Sequence, residues 1–183
     1  GGERGVAVTG GKKLGFDPIA EAQRQWVAHG WAGAAEGMGA VTSVFRAQQI
    51  YLARIDDVLR PRALTFARYE VLMLLLFSRA GALPLSKVGA RLQVHPTSVT
   101  NAVDRLEAQG LVRRVPHPTD RRTTLAEILE AGRQVAVEAT AELNAAVFSQ
   151  PHLEPADARR LVEVLRRLRR DAGDFGLDSA GPA

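Results

Sequence analysis

Between Pro96 and Arg122 the chain gathers side chains that can hydrogen-bond and ion-pair but cannot by themselves break a bond. Thr97, Ser98, Thr100 and Asn101 fall within five positions, and Arg105 follows one helical turn later. Short hydroxyl and amide groups of this kind match the donor and acceptor pattern that base edges present in the major groove of DNA. Arg113 and Arg114 lie in an alternating segment, and Arg121 and Arg122 end the string HPTDRR. A guanidinium can neutralise a phosphate, which gives affinity without sequence information, or enter a narrow minor groove where negative potential concentrates. The reading therefore places Thr97, Ser98, Thr100 and Asn101 in a major groove and Arg121 or Arg122 in the flanking minor groove. Arg105, Arg113 and Arg114 complete the set, the last two serving phosphates. Asp120 can fold back to hydrogen-bond its own loop, and Pro116 and Pro118 stiffen the loop's base. From Arg91 to Arg122 there are six arginines against three acids, Asp104, Glu107 and Asp120.

Other chemistries find no support. The chain has no cysteine, which excludes disulfides, thiolate metal sites and cysteine-based oxidation sensing. Its four histidines, His29, His95, His117 and His152, fall in different elements without metal-ligand spacing. There is no Gly-x-Ser-x-Gly nucleophile elbow and no dinucleotide fingerprint. The run GVAVTGGKK fails the phosphate-loop spacing, because no Ser or Thr follows its lysine. Asp56 and Asp57 read as solvated or ion-paired rather than as a catalytic pair. The expectation is a protein that is not an enzyme and needs no cofactor or metal.

These residues need elements to hold them. Asp17 and Pro18 start a helix as side-chain cap and first-turn proline, and it stops near His29 and Gly30. The small-residue stretch GWAGAAEGMGA leads to a long helix from about Met38 to Leu59, ended at Arg60-Pro61. Thr65 is the cap of a nearly all-round apolar helix carrying Tyr69, Val71, Leu72 and Leu75. Gly81 and Pro84 bracket the turn after it. In LSKVGARLQVHPTSVTNAVDRLEAQGL, a first short helix turns at Gln93-Val94 into a second, opened by Pro96 and closed by Gly110. Val99, Val103 and Leu106 form the buried stripe of the second helix, so the polar residues named above lie off it. Leu111 to Val115 and Thr123 to Ile128 read as two strands around the Arg-rich tip. Helices from about Ala131 to Val147 and from Pro155 to Asp171 follow. The fold class is mainly α with a small β-hairpin wing: a winged helix-turn-helix with a helical dimerisation region.

At 183 residues the chain fits one domain. Residues 1–16 read as a disordered tail and 174–183 as a loose C-terminal one, flanking a single domain over 17–173. Its net charge of +4 permits nucleic-acid binding without demanding it. The arginines at 166, 167, 169 and 170 read as a solvated helix face. The longest apolar run, Val71 to Phe77, is far short of the roughly 20 residues that span a bilayer, and no signal peptide is read. A cytoplasmic protein, associated with a bacterial nucleoid, is expected.

The strings LTFARYEVLMLL, LSKVGARLQVHPTSVTNAVDRLEAQGLVRRVPHPTDRR and LAEILEAGR, from Leu64 to Gly132, resemble the MarR family of bacterial transcription regulators. The resemblance implies a DNA-binding lobe over 64–128 and a homodimer whose terminal helices, 38–60 and 131–171, intertwine. It also implies a ligand cleft between the dimerisation and DNA-binding parts. The added helix at 17–30 resembles the branch of the family that responds to urate or trans-aconitate. Glu70 after Tyr69, and Ala102 after Thr100 and Asn101, depart from the urate pattern and argue against urate itself. On this resemblance the partners are operator DNA, a second copy and a small carboxylate, with no membrane. The chain would be a repressor on a near-palindromic operator, released when Trp26, Arg24 and Arg46 take up the anion. The alternatives are an architectural DNA-binding protein without a ligand, or a protein–protein module on the same scaffold.

Overall fold

Helix α3 (Phe66–Phe77) is the element around which the chain is assembled, and its composition explains why. Tyr69, Val71, Leu72 and Leu75 are buried on different sides of it, so it must be covered from several directions at once. Thr65 caps it, accepting from the Arg68 amide at 3.4 Å. This computed structural model describes residues 14–92 and 94–176. The phosphate-loop-like run and most of both proposed tails lie outside the described residues.

Before α3 come α1 (Pro18–Ala28) and α2 (Ala32–Leu59), with a 3-10 turn at Arg60–Arg62. After it come β1 (Ala82–Pro84), α4 (Leu85–Leu92), α5 (Pro96–Ala108), β2 (Val112–Pro116) and β3 (Thr124–Ile128). Helix α6 (Glu130–Leu143), a π-helical turn (Asn144–Phe148) and α7 (Pro155–Asp171) close the described chain. The sheet is antiparallel in the order β1-β3-β2, with Val112 opposite Ile128 and Pro116 opposite Thr124. This is a winged helix-turn-helix with helices on either side of it in sequence. Among the described residues no helix is long and apolar enough to cross a membrane.

Three features differ from the sequence expectation. Helix α2 begins at Ala32, not near Met38. The small residues belong to the helix itself, and two of them, Ala35 and Gly39, form a packing surface for α1. Ala35 is buried, the Gln23 amide donates to its carbonyl at 3.3 Å, and a Cβ at Gly39 would stand 2.4 Å from the Gln23 amide nitrogen. Glycine costs a helix about 1 kcal/mol relative to alanine, and here it admits a neighbouring helix. Strand β1 was not expected either. Its residues look like a turn, and it becomes a strand only by pairing with β3, Leu83 opposite Ala126. Lastly, the helix expected to run to Val147 turns π-helical after Leu143. Arg54 of α2, only 7% exposed, donates to the carbonyls of Ala146 and Gln150, both at 2.8 Å. The partial negative charge of a helix end compensates the buried guanidinium.

The core is continuous from Ile55 and Leu59 of α2, through α3 and α5, to Ala136, Ala139 and Leu143 of α6. The Tyr69 hydroxyl meets the Thr140 hydroxyl at 2.9 Å, and Arg62 pairs with Glu138 and Glu142, so α6 is tied to α3 and to the 3-10 turn before it. Helix α7 is different. It buries no residue, and Leu161, Val164 and Leu168 form an exposed apolar stripe along it.

The tightest crossing is where α6 leaves the sheet. The Leu129 amide donates to the Leu111 carbonyl at 3.0 Å. One turn on, a Cβ built at Gly132 would stand 2.1 Å from that same carbonyl oxygen and 2.9 Å from Ile128 Cγ1. Backbone cannot yield as a flexible side chain can. Gly132→Ala is therefore expected to destabilise the fold by at least the roughly 1–3 kcal/mol typical of overpacking. Thermal and urea unfolding measure this; an unchanged midpoint would show that α6 does not cross the sheet this closely.

Candidate nucleic-acid interface

The reading head starts with how α5 is seated. The Val94 amide returns to the Gly89 carbonyl at 3.2 Å, and Val99 packs over Gly89, so α4 and α5 meet with little between them. His95 caps α5 by accepting from the Thr97 amide at 3.2 Å, and Pro96 occupies the first helical position. Val99, Val103 and Leu106 are buried, which fixes the rotation of the helix. That rotation leaves Thr97, Ser98, Thr100, Asn101 and Arg105 exposed. None of these five side chains hydrogen-bonds another described residue, so their donors and acceptors are free for a partner.

The wing is built from its own loop. Asp120 accepts from the Arg122 amide at 3.0 Å and the Thr123 hydroxyl at 2.6 Å. The Thr123 hydroxyl, and then the Arg122 amide, hold the Asp120 carboxyl below the usual carboxylate range. His117 does matching work that sequence reasoning missed. Its Nδ1 accepts from the Thr119 and Asp120 amides at 3.3 and 3.1 Å, which calls for the neutral ring with its proton on Nε2. The histidine four residues after Arg113, followed by Pro-Thr-Asp, was the available signal. These bonds close the tip so that Arg121 and Arg122 project from it, exposed and without an ion-pair partner among the described residues.

Arg113 and Arg114 sit otherwise than expected for phosphate contacts. Arg113 is paired with Glu127, its register partner across the hairpin. Arg114 reaches Asp104 and Glu107 of α5, both at 2.6 Å, and its amide donates to Glu107 at 3.0 Å. The Arg114 amide and guanidinium hold the Glu107 carboxyl low. Arg114 thus brackets α5 against β2, and the acids of this region are spent on positioning. Arg105 on α5 and Arg121 and Arg122 on the wing have no ion-pair partner among the described residues.

The residues proposed for an anion are not brought together. Arg24 is paired with Glu21 on its own helix. Trp26 packs edge-on against Trp31, with ring centroids 5.4 Å apart, and no described contact joins either residue to Arg46. A cleft lies elsewhere, on α3. It encloses about 410 Å³ among Phe66, Tyr69, Glu70, Met73, Thr140 and Phe148. Burial pushes the Glu70 carboxyl above its ordinary range.

Comparison with known proteins agrees with this geometry. The model of the MarR family matches residues 64–124. The HTH-type transcriptional regulator MhqR of Bacillus subtilis is 30% identical over 110 residues, covering 58% of this chain and 74% of MhqR. YhbI, an HTH-type transcriptional regulator of the same organism, is 31% identical over 88 residues; that match covers 48% of this chain and spans just over half, 56%, of YhbI. Among solved structures, Sco5413, a MarR family regulator of Streptomyces coelicolor, is 50% identical with a TM-score of 0.71, covering 76% of this chain and 97% of Sco5413. Sco3205 from the same organism, solved in complex with DNA, is 25% identical with a TM-score of 0.65, covering 80% of this chain and 90% of its own.

The wing makes a pH-dependent prediction. A carboxyl held low in the folded state contributes order above the ordinary carboxylate range, and loses it as pH falls through the lowered folded value. The Arg122 amide should therefore be protected from exchange at neutral pH, and should lose that protection relative to its intrinsic rate only on strong acidification. Asp120→Ala should show an unprotected Arg122 amide at neutral pH with global stability unchanged. Equal protection in wild type and Asp120→Ala would mean that this carboxylate does not hold the wing.

Proposed function

This chain belongs to the MarR family of transcriptional regulators, and from that premise we propose that it is a homodimeric repressor of a near-palindromic operator, released by a small ligand. The observation that carries the reading is the unpaired face of α5 beside the unpaired arginines of the wing. Thr97, Ser98, Thr100 and Asn101 read base edges in the major groove, and Arg105 reaches base or backbone a turn later. Arg121 or Arg122 enters the adjacent minor groove. Arg113 and Arg114 act on DNA chiefly by holding the hairpin and α5 in register, since both guanidiniums already have carboxylate partners.

Two copies are needed to read two half-sites, and the molecule presents the surface for it. The uncovered stripe of α7 and the exposed Val41, Val44 and Phe45 of α2 are apolar faces that a second copy would bury. The ligand reading rests on the cleft of α3, which borders both α6 and the α4 end of the reading head at Leu92. Its lining is largely apolar and aromatic, and its one ionisable group other than tyrosine is a carboxyl, Glu70. This supports a neutral, apolar body in the cleft over a carboxylate held by Trp26, Arg24 and Arg46. A ligand there shifts DNA affinity only by preferring one arrangement of the two reading heads over the other.

Arg122→Ala is expected to weaken operator binding by roughly 1–3 kcal/mol if the side chain makes a groove contact, with the fold intact by circular dichroism. Fluorescence anisotropy on one operator duplex measures it. If Arg121→Ala and Arg122→Ala both bind as wild type at physiological salt, the wing is not a DNA contact. Sedimentation equilibrium should find a dimer at micromolar concentration, and a stable folded monomer there would contradict the proposed assembly.

A further inference from the structure

A second groove, of about 490 Å³, lies next to the apolar cleft, between the end of α3, β1 and α4. Its lining carries three cations, Arg79, Lys87 and Arg91, and no carboxylate. None of the three has an ion-pair partner among the described residues. Lys87 and Arg91 are one turn apart on α4, with Arg79 brought to the same groove by the turn after α3. The two hollows share Phe77, which is 76% exposed, as a common wall. They also meet along α4, where Leu92 lines the cleft and its neighbour Arg91 lines the groove.

Three uncompensated cations around one concavity repel one another and raise the local concentration of anions. The apolar cleft has the opposite character, because Glu70 in its lining disfavours a second negative charge buried there. An aromatic body and an anionic head would each find a fitting place, but not in the same hollow. We infer that the two hollows form one composite site, and that its ligand is an aromatic phosphoester whose ring occupies the α3 cleft and whose phosphate sits on Arg79, Lys87 and Arg91. The inference rests on the proposed ligand-responsive reading. It adds a link to the reading head, since α4 carries Lys87 and Arg91 on one side and packs Gly89 against Val99 of α5 on the other.

The test is calorimetric titration of the full chain with 1-naphthyl phosphate, 1-naphthol and inorganic phosphate, in wild type and in the double variant Lys87→Ala/Arg91→Ala. Both substituted residues are exposed or half-exposed on the helix surface, and circular dichroism confirms the fold. A second double variant, Lys87→Gln/Arg91→Gln, keeps side-chain length and removes charge. Wild type is expected to bind 1-naphthyl phosphate at least about tenfold more tightly than either fragment, each tenfold being about 1.4 kcal/mol. Both double variants should lose that advantage while keeping their affinity for 1-naphthol. Equal affinity of wild type for 1-naphthol and 1-naphthyl phosphate, or equal affinity for inorganic phosphate and 1-naphthyl phosphate, would overturn the composite site. So would undiminished binding of the phosphoester by both charge-removed variants. Anisotropy on operator DNA separates the two claims. A phosphoester that binds as described yet leaves DNA affinity unchanged upholds the site and refutes release by ligand.

Discussion

The contact on which the rest of the structure depends is the crossing of α6 over the start of the sheet. Leu111 closes the loop after α5 and Leu129 opens α6, and the Leu129 amide on the Leu111 carbonyl joins them. Gly132 then lets the helix pass within van der Waals distance of that carbonyl. On one side of this point lie α5 and the wing, and on the other lie α6 and α7, the latter with an uncovered apolar stripe. Because packed backbone does not deform continuously, a change in how α6 sits must be passed to β2 and α5. The buried Arg54 anchor on the far end of α6 and its π turn gives the same helix a second fixed point. In the proposed dimer, a shift of the reading heads driven by the dimer helices would pass through this joint.

The lobe itself divides its charges between two tasks. Asp104, Glu107 and Glu127 are paired to Arg114 and Arg113, and the pairs fix helix to strand and strand to strand. Exposed pairs of this kind are worth little in stability; their consequence is geometric. They neutralise three carboxylates that would otherwise repel an anionic partner of this lobe. His117 and Asp120 perform the corresponding task inside the wing, so that the tip is ordered by neutral and charge-assisted hydrogen bonds while its arginines stay available.

Much of this was legible in the residues. Val99, Val103 and Leu106 set the face of α5 by periodicity, Asp17-Pro18 and Thr65 marked helix starts, and the alternation around HPTDRR marked the hairpin. Apart from the local contacts of His117, what escaped depends on partners distant in sequence. Strand β1 exists only because β3 is beside it, and Ala82 to Pro84 alone resemble a turn. The π turn depends on Arg54, 92 residues before Ala146, its first acceptor. Arg113 and Arg114 looked free because cross-strand and helix-to-strand pairing cannot be read from spacing along one chain. The small residues 32–39 looked like a lead-in because glycine in a helix is normally a cost; the approach of α1 accounts for Ala35 and Gly39 among them. The resemblance implied a cleft between the dimerisation and DNA-binding parts, but its lining escaped for the same reason, being assembled from α3, the end of α4, α6 and the π turn.

The central claim is that α5 and the wing read a defined sequence as a symmetric pair. Selection of bound duplexes from a random pool, at physiological salt and with rounds of nonspecific competitor, tests it most directly. The account predicts enrichment of an inverted repeat whose half-sites are centred about 10 bp apart, one helical turn. Recovery of no consensus, with a ratio of specific to nonspecific affinity near unity, would contradict it and leave a DNA-binding protein that does not read sequence.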